Sequence, residues 1–154
     1  MFVRVFRLQS VIGFVAIALV LGGCANKDDV SPAENQAQAF EDLRNEVRDA
    51  VDDTTREDEA IELVNALSAN LTELQEKISQ RAKRTRELNA DYDTTRAAFE
   101  AYFGEVDQHI QANRKQVTET QRALFEILTP DERSSISGTL SKAMKAAIKA
   151  IQAI

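Results

Sequence analysis

After Cys24 only four residues of the chain are glycine or proline: Pro32, Gly104, Pro130 and Gly138. A many-stranded sheet needs a turn residue at nearly every strand connection, so a stretch this poor in them is pushed toward helices. Both prolines also stand in the same setting. Ser31-Pro32-Ala33-Glu34 and Thr129-Pro130-Asp131-Glu132 each pair a hydroxyl with a glutamate three residues on, around a proline at the first helical position. There the missing proline N–H costs nothing, and the hydroxyl and carboxylate can satisfy each other's backbone donors. Helix starts are therefore expected at about residues 32 and 130.

The apolar periods agree. Phe40, Leu43, Val47 and Val51 recur by three and four, giving a first helix over about 32–52. Asp52-Asp53-Thr54-Thr55 supplies N-cap side chains, and Thr54 with Glu57 predicts a new start near residue 55. Val64, Leu67, Leu71, Leu74 and Ile78 then form a heptad seam that resumes at Leu88 after a polar gap at Arg81 and Thr85. The segment Asn89 to Asp93 is the expected turn, with Asp93 or Thr94 capping the next helix, although no Gly or Pro enforces a break and a helix continuous through residue 92 is the alternative. Phe103, Val106, Ile110, Val117, Leu124 and Ile127 continue the period if Asn113 and Thr120 fill the missing seam positions. Segments of about 56–89 and 94–128 would each run to about 50 Å, and matched lengths let two seams bury each other end to end. In the last segment, about 130–153, Leu140, Met144, Ala147, Ile148 and Ile151 make an apolar face, Lys142, Lys145 and Lys149 make another, and Gly138 is expected to loosen the helix. The expected fold is all-α: a long antiparallel helical hairpin with a shorter helix before it and another after it.

The beginning of the chain follows different rules. Arg4 and Arg7 precede an uncharged apolar run from Val11 to Leu21, a core too short for an ordinary membrane span but suited to a secretory signal. It ends in Leu21-Gly22-Gly23-Cys24, which resembles the bacterial lipobox. That resemblance implies a signal peptide over 1–23, lipidation of Cys24, a tether over 24–30 and a helical periplasmic domain over 31–154. Lipoproteins of this kind carry several acyl chains, such as palmitate, and two or more chains hold a protein stably on a membrane. Ala25, not Asp, follows the cysteine. In enterobacterial-type sorting this implies the outer membrane, with the protein facing the periplasm.

Chemistry-bearing residues are sparse. One His (His109) and one Cys cannot build a metal cluster or a Cys–His nucleophile, and no phosphate loop or nucleophile elbow is present, so no enzyme activity and no cofactor are expected. Without Arg4 and Arg7, 17 basic residues stand against 25 acidic ones, a net of −8 that disfavours nucleic acid as a partner. The distribution is more informative than the sum. Residues 28 to 62 hold thirteen acids and three arginines, whereas Lys77, Arg81, Lys83, Arg84 and Arg86 crowd together and the last helix adds three lysines. Such asymmetry suits docking of the first helix on the last, a basic surface for polypeptides, or a tail that touches anionic lipid. Phe99, Tyr102 and Phe103, with Tyr92 one heptad earlier, form the aromatic cluster expected to fill the wide end of the hairpin. Lys77, Arg81, Lys83, Arg84, Phe99, Tyr102 and Phe103 are the candidate client-binding residues.

The run Gln121 to Arg133, containing Leu128-Thr129-Pro130-Asp131-Glu132-Arg133, resembles the second Leu-Thr-x-x-Gln motif of the Spy/CpxP-like periplasmic chaperones, with Glu132 in place of the glutamine. A Leu-Thr-x-x-Gln match also occurs at Leu71 to Gln75, inside the heptad run. Over roughly residues 64–140 the resemblance implies a helical hairpin that binds unfolded or partner polypeptides without ATP, or that modulates envelope stress signalling. Homodimerisation would let two hairpins form one concave surface. The family's methionine- and histidine-rich metal-linked stretches are missing. The alternative is a structural or adaptor coiled-coil lipoprotein docked on one envelope partner. Physically, the motif reads as a helix corner in which Thr129 caps, Pro130 sets the direction of the new helix and Leu128 staples onto its first turn.

Overall fold

Local chemistry sets each helix end. The computed structural model describes residues 30–154, which form four helices: α1 (Pro32–Ala50), α2 (Thr54–Ala90), α3 (Arg96–Ile127) and α4 (Pro130–Gln152). The all-α expectation holds, and among the described residues there is no strand. The signal segment and Cys24 lie outside the described residues.

Both expected capping boxes are formed. Ser31 Oγ accepts from the Glu34 N–H at 3.2 Å while the Ser31 N–H donates to Glu34 Oε2 at 2.9 Å. Thr129 Oγ accepts from the Glu132 N–H at 3.3 Å, and the Thr129 N–H donates to Glu132 Oε2 at 2.8 Å. A further bond repeats at both corners. Asn35 Nδ2 donates to the Val30 carbonyl at 3.0 Å, and Arg133 Nε donates to the Leu128 carbonyl at 2.9 Å. The staple expected at Leu128 is thus replaced by a polar clasp, because the residue one turn in is Arg133, and Leu128 itself turns into the core. Thr129→Ala should cost about 1 kcal/mol in a denaturant titration through loss of the cap.

Two starts differ from expectation. Asp53, not Thr54, caps α2, its carboxylate accepting from the Arg56 N–H at 2.9 Å. Thr95, rather than Asp93 or Thr94, caps α3 and accepts from the Ala98 N–H at 3.2 Å. The central break is real, so α2 does not continue through residue 92. Asp91 makes the turn without glycine: its carboxylate accepts from the Asp93 N–H at 3.0 Å and its carbonyl from the Thr94 N–H at 3.1 Å. No described residue adopts positive φ.

Helix α2 is antiparallel to α3 and to α1, and α1 packs most extensively on α4, which also touches α2. One apolar core joins them: Phe40, Leu43 and Val47 of α1, Val64, Leu67 and Leu71 of α2, Leu124 of α3, and Ile136, Leu140, Ala143 and Ala147 of α4. On α4 the buried seam is Ile136, Leu140, Ala143, Ala147 and Ala150, whereas Ile148, expected on the apolar face, is 49% exposed. Small alanines allow α1 to approach closely, and their four-three spacing keeps them on one stripe. Although docking of α1 on α4 was expected from opposite charges, no ion pair crosses between them among the described residues; the contact is apolar.

A polar layer closes this core. Asn113 Nδ2 donates to the Asn70 carbonyl at 3.2 Å and Gln116 Nε2 to Asn70 Oδ1 at 3.0 Å, while Gln75 Nε2 donates to Gln36 Oε1. Because Gln36 of α1 sits beside Gln75, α1 begins near the middle of α2, and the hairpin beyond about residue 80 rises clear of α1. Burial end to end is therefore not achieved: Leu74, Ile78, Val106 and Ile110 are only half-buried, although Leu88 is buried near the turn. Gly138 does not break α4, and a Cβ built at Gly104 or Gly138 meets nothing within 4 Å. Gly138→Ala and Gly104→Ala should each add about 0.5–1 kcal/mol of stability by urea denaturation, since each glycine gives up backbone entropy and packs nothing.

Candidate functional site

The upper half of the hairpin gathers most of the expected binding residues. Lys77, Gln80, Arg81 and Arg84 of α2 face Tyr102, Glu105, Val106 and His109 of α3 across an open groove of about 220 Å³. These positions repeat by three and four on each helix, so they form two facing rows on one side of the hairpin. Tyr102 and Arg81 tie the rows together: the Tyr102 hydroxyl donates to the Arg81 carbonyl at 3.1 Å, and Arg81 Nη2 donates to the Val106 carbonyl at 3.4 Å. Arg81 thus interrupts the apolar seam because its guanidinium spans to the opposite helix. Lys77 pairs with Glu73 at 2.5 Å and Arg84 with Glu87 at 3.2 Å. Exposed pairs of this kind are weak, so the groove keeps its positive character toward an incoming anionic group.

Other expected residues fall elsewhere. Lys83 is exposed and does not line the groove. Phe99 and Phe103 stack with centroids 6.2 Å apart, and Tyr102 tilts against Phe103 at 5.4 Å. Phe103 remains 48% exposed. Tyr92 does not join the cluster, because it sits in the turn and is fully exposed. Leu128, Thr129, Pro130, Glu132 and Arg133 form the helix corner at the opposite end of the hairpin. The Leu71–Gln75 motif lies in the interior of α2 and opens no helix.

Glu105 and His109 belong to the groove but were not singled out for it. The signal was available, since His109 stands seven residues after Tyr102, two helical turns along the same face. A second missed partnership is at the corner. Arg56 Nη1 meets Glu132 Oε2 at 2.6 Å, joining the starts of α2 and α4. The Arg56 hydrogen bond, followed by the Thr129 N–H, holds the Glu132 carboxyl below its ordinary 4.5. A carboxyl with a depressed folded pKa contributes stability at pH above 4.5 and loses that contribution as pH falls through the folded value. Thermal melts across the acid range should therefore show stability falling below pH 4.5, and Glu132→Gln should flatten part of that fall.

Among the described residues, no group of His, Cys, Asp and Glu is placed to hold a metal ion, and no helix is long and apolar enough to cross a membrane. Fold and groove together define the class: a four-helix protein whose long hairpin carries a basic, partly aromatic groove above a closed apolar base. No protein-family model, curated protein or solved structure matches the chain.

Proposed function

We propose that this chain is a membrane-anchored periplasmic protein that binds other polypeptides, acting as an ATP-independent Spy/CpxP-like chaperone or envelope-stress modulator. The observation that carries the reading is the upper hairpin, where Lys77, Arg81 and Arg84 flank Tyr102 and Val106 in an open groove beside the half-exposed Phe103. Cationic rims raise the encounter rate with acidic segments, and exposed aromatic and aliphatic groups hold loosely folded chains by contacts that many sequences can make. Open sides and weak, surface-paired charges suit brief capture better than tight binding of one small ligand. The lipobox-like Leu21-Gly22-Gly23-Cys24, followed by Ala25, supports a position at the periplasmic face of the outer membrane.

Aggregation suppression tests the reading. At near-stoichiometric ratio and without nucleotide, the protein should slow light-scattering growth of several unrelated denatured proteins, and Arg81→Glu with Phe103→Ser should weaken the effect. Protection of none of them, together with copurification of a single envelope protein, would instead support the adaptor reading.

A further inference from the structure

Helices α1 and α4 run antiparallel, which brings the start of one to the end of the other. Pro32 and Asn35 meet Lys142, Lys145, Ala146 and Lys149 around an open groove of about 420 Å³, while the start of α4 meets Arg56, just past the end of α1. The three lysines recur by three and four, so they form one stripe along α4, away from its buried alanines. Packing does not consume them. All three are exposed, the contact of α1 with α4 is apolar, and among the described residues none of the three makes an ion pair. No acidic side chain follows Glu132 in the chain, and Glu34, in the first turn of α1, is engaged by Ser31.

The same groove marks where the chain enters α1. Asn35 lines it and also donates to the Val30 carbonyl at 3.0 Å, so Val30 is held beside the lysines. Val30 stands six residues after Cys24, and six residues span at most about 20 Å. A lipid on Cys24 therefore keeps the lysine stripe within reach of the headgroups around it. Apolar groups gather at this end as well. Of the five large apolar residues that stay exposed among the described ones, Val30, Ile148 and Ile154 belong to it, and Ile148, three residues after Lys145, borders the stripe. Ammonium groups edged by aliphatic side chains suit an anionic bilayer surface, where the first meet phosphate and the second enter the headgroup boundary. The tether, with Lys27 against Asp28 and Asp29, subtracts only one charge from the three.

We propose that the end of α4, with the start of α1, docks on the anionic phospholipid surface of the membrane that carries the Cys24 lipid. Docking of this kind rests on the lipid anchor of the proposed function and is independent of polypeptide binding. A basic residue close to an anionic surface strengthens the contact about fivefold, so three lysines supply roughly a hundredfold. That is too little to hold a free protein on a membrane, but ample for one whose lipid already confines the stripe to the bilayer surface. The result is a fixed side toward the bilayer in place of a loosely tethered domain. Because α2 and α3 alone line the groove of the upper hairpin, the contact uses none of its residues.

A polarity-sensitive fluorophore reads the docked side. The full chain is expressed, purified from membranes and reconstituted on vesicles of phosphatidylcholine alone or mixed with phosphatidylglycerol, carrying the label at Ser141→Cys, one turn before Lys145 on the outer side of α4. Gln111→Cys, exposed on α3, which packs chiefly on α2, is the control position. Emission at Ser141→Cys should shift to the blue on the mixed vesicles and return in high salt, with no shift on neutral vesicles or at Gln111→Cys. Lys142→Gln/Lys145→Gln/Lys149→Gln should weaken docking roughly a hundredfold and abolish the shift, while circular dichroism stays unchanged. Flotation separates the two layers of the argument. Protein that floats with both vesicle types yet shows no shift on the mixed ones, an equal shift at Gln111→Cys, or a shift retained in the triple variant would each overturn the docked face and leave the anchor standing. Failure to float with neutral vesicles would overturn the anchor, and docking with it. A shift produced by polyglutamate on neutral vesicles, and not by phosphatidylglycerol, would make the stripe a polypeptide site and overturn the membrane contact.

Discussion

Phe40→Ala should destabilise the protein by about 3–5 kcal/mol, the range for removing a large aromatic side chain from a closed core. Phe40 is 0% exposed and belongs to the core that α1 shares with α2 and α4, so truncation leaves a cavity inside that core rather than a site that solvent can fill. Domains of this size are stable by roughly 5–15 kcal/mol, so the loss takes a large share of the total. Urea titration followed by circular dichroism measures it. A change below about 1 kcal/mol would mean that α1 is not held against the hairpin as the structure has it. Substitution of Phe103 provides the contrast, because a half-exposed ring on the upper hairpin gives up much less burial. Stability is thus concentrated in the base, and the upper hairpin can lose side chains without unfolding the protein. That division is what a binding surface needs, since groups that stay available to a partner cannot also be consumed by the core.

The second large effect is expected at Cys24. Cys24→Ser should shift the protein from the membrane pellet to the soluble fraction, or leave it as a longer unprocessed precursor, because serine cannot take the thioether-linked lipid. With two or more acyl chains the attached protein stays on the membrane, and with none only weak peripheral contacts remain. Fractionation and mass measurement of the intact protein give the result directly. Unchanged pelleting at the processed mass would remove the lipid anchor from the functional reading, while leaving the groove of the upper hairpin untouched. The proposed polypeptide binding and the proposed membrane attachment are therefore separable by mutation.

Much of the site was legible from spacing, and the reasons for the misses are specific. Lys77, Arg81 and Arg84 repeat by four and three, so a single face can be read for them, whereas Lys83 shares only their proximity along the chain and lies off the groove. Tyr92 was assigned to the aromatic cluster by its heptad distance from Phe99, but a heptad relation has meaning only within one helix, and the break at Asp91 removes it. On α4 the apolar face expected to include the bulky Ile148 is instead a stripe of Ala143, Ala147 and Ala150. The true seam consists of the smaller residues because α1 approaches that side closely, a fact that belongs to the pair of helices and not to either alone.

By itself the sequence determined the four helices, both capping boxes and the hairpin, because caps and apolar periods act between residues three or four positions apart. Tertiary structure decided which parts of those helices share a level. Placement of Gln36 beside Gln75 leaves the upper hairpin clear of α1, and contact of Asn70 with Asn113 and Gln116 sets the register between α2 and α3. From that register follow the groove and its lining by Glu105 and His109. Axial offset between helices depends on how whole surfaces interdigitate, so a periodic pattern that fits several offsets equally well cannot specify it.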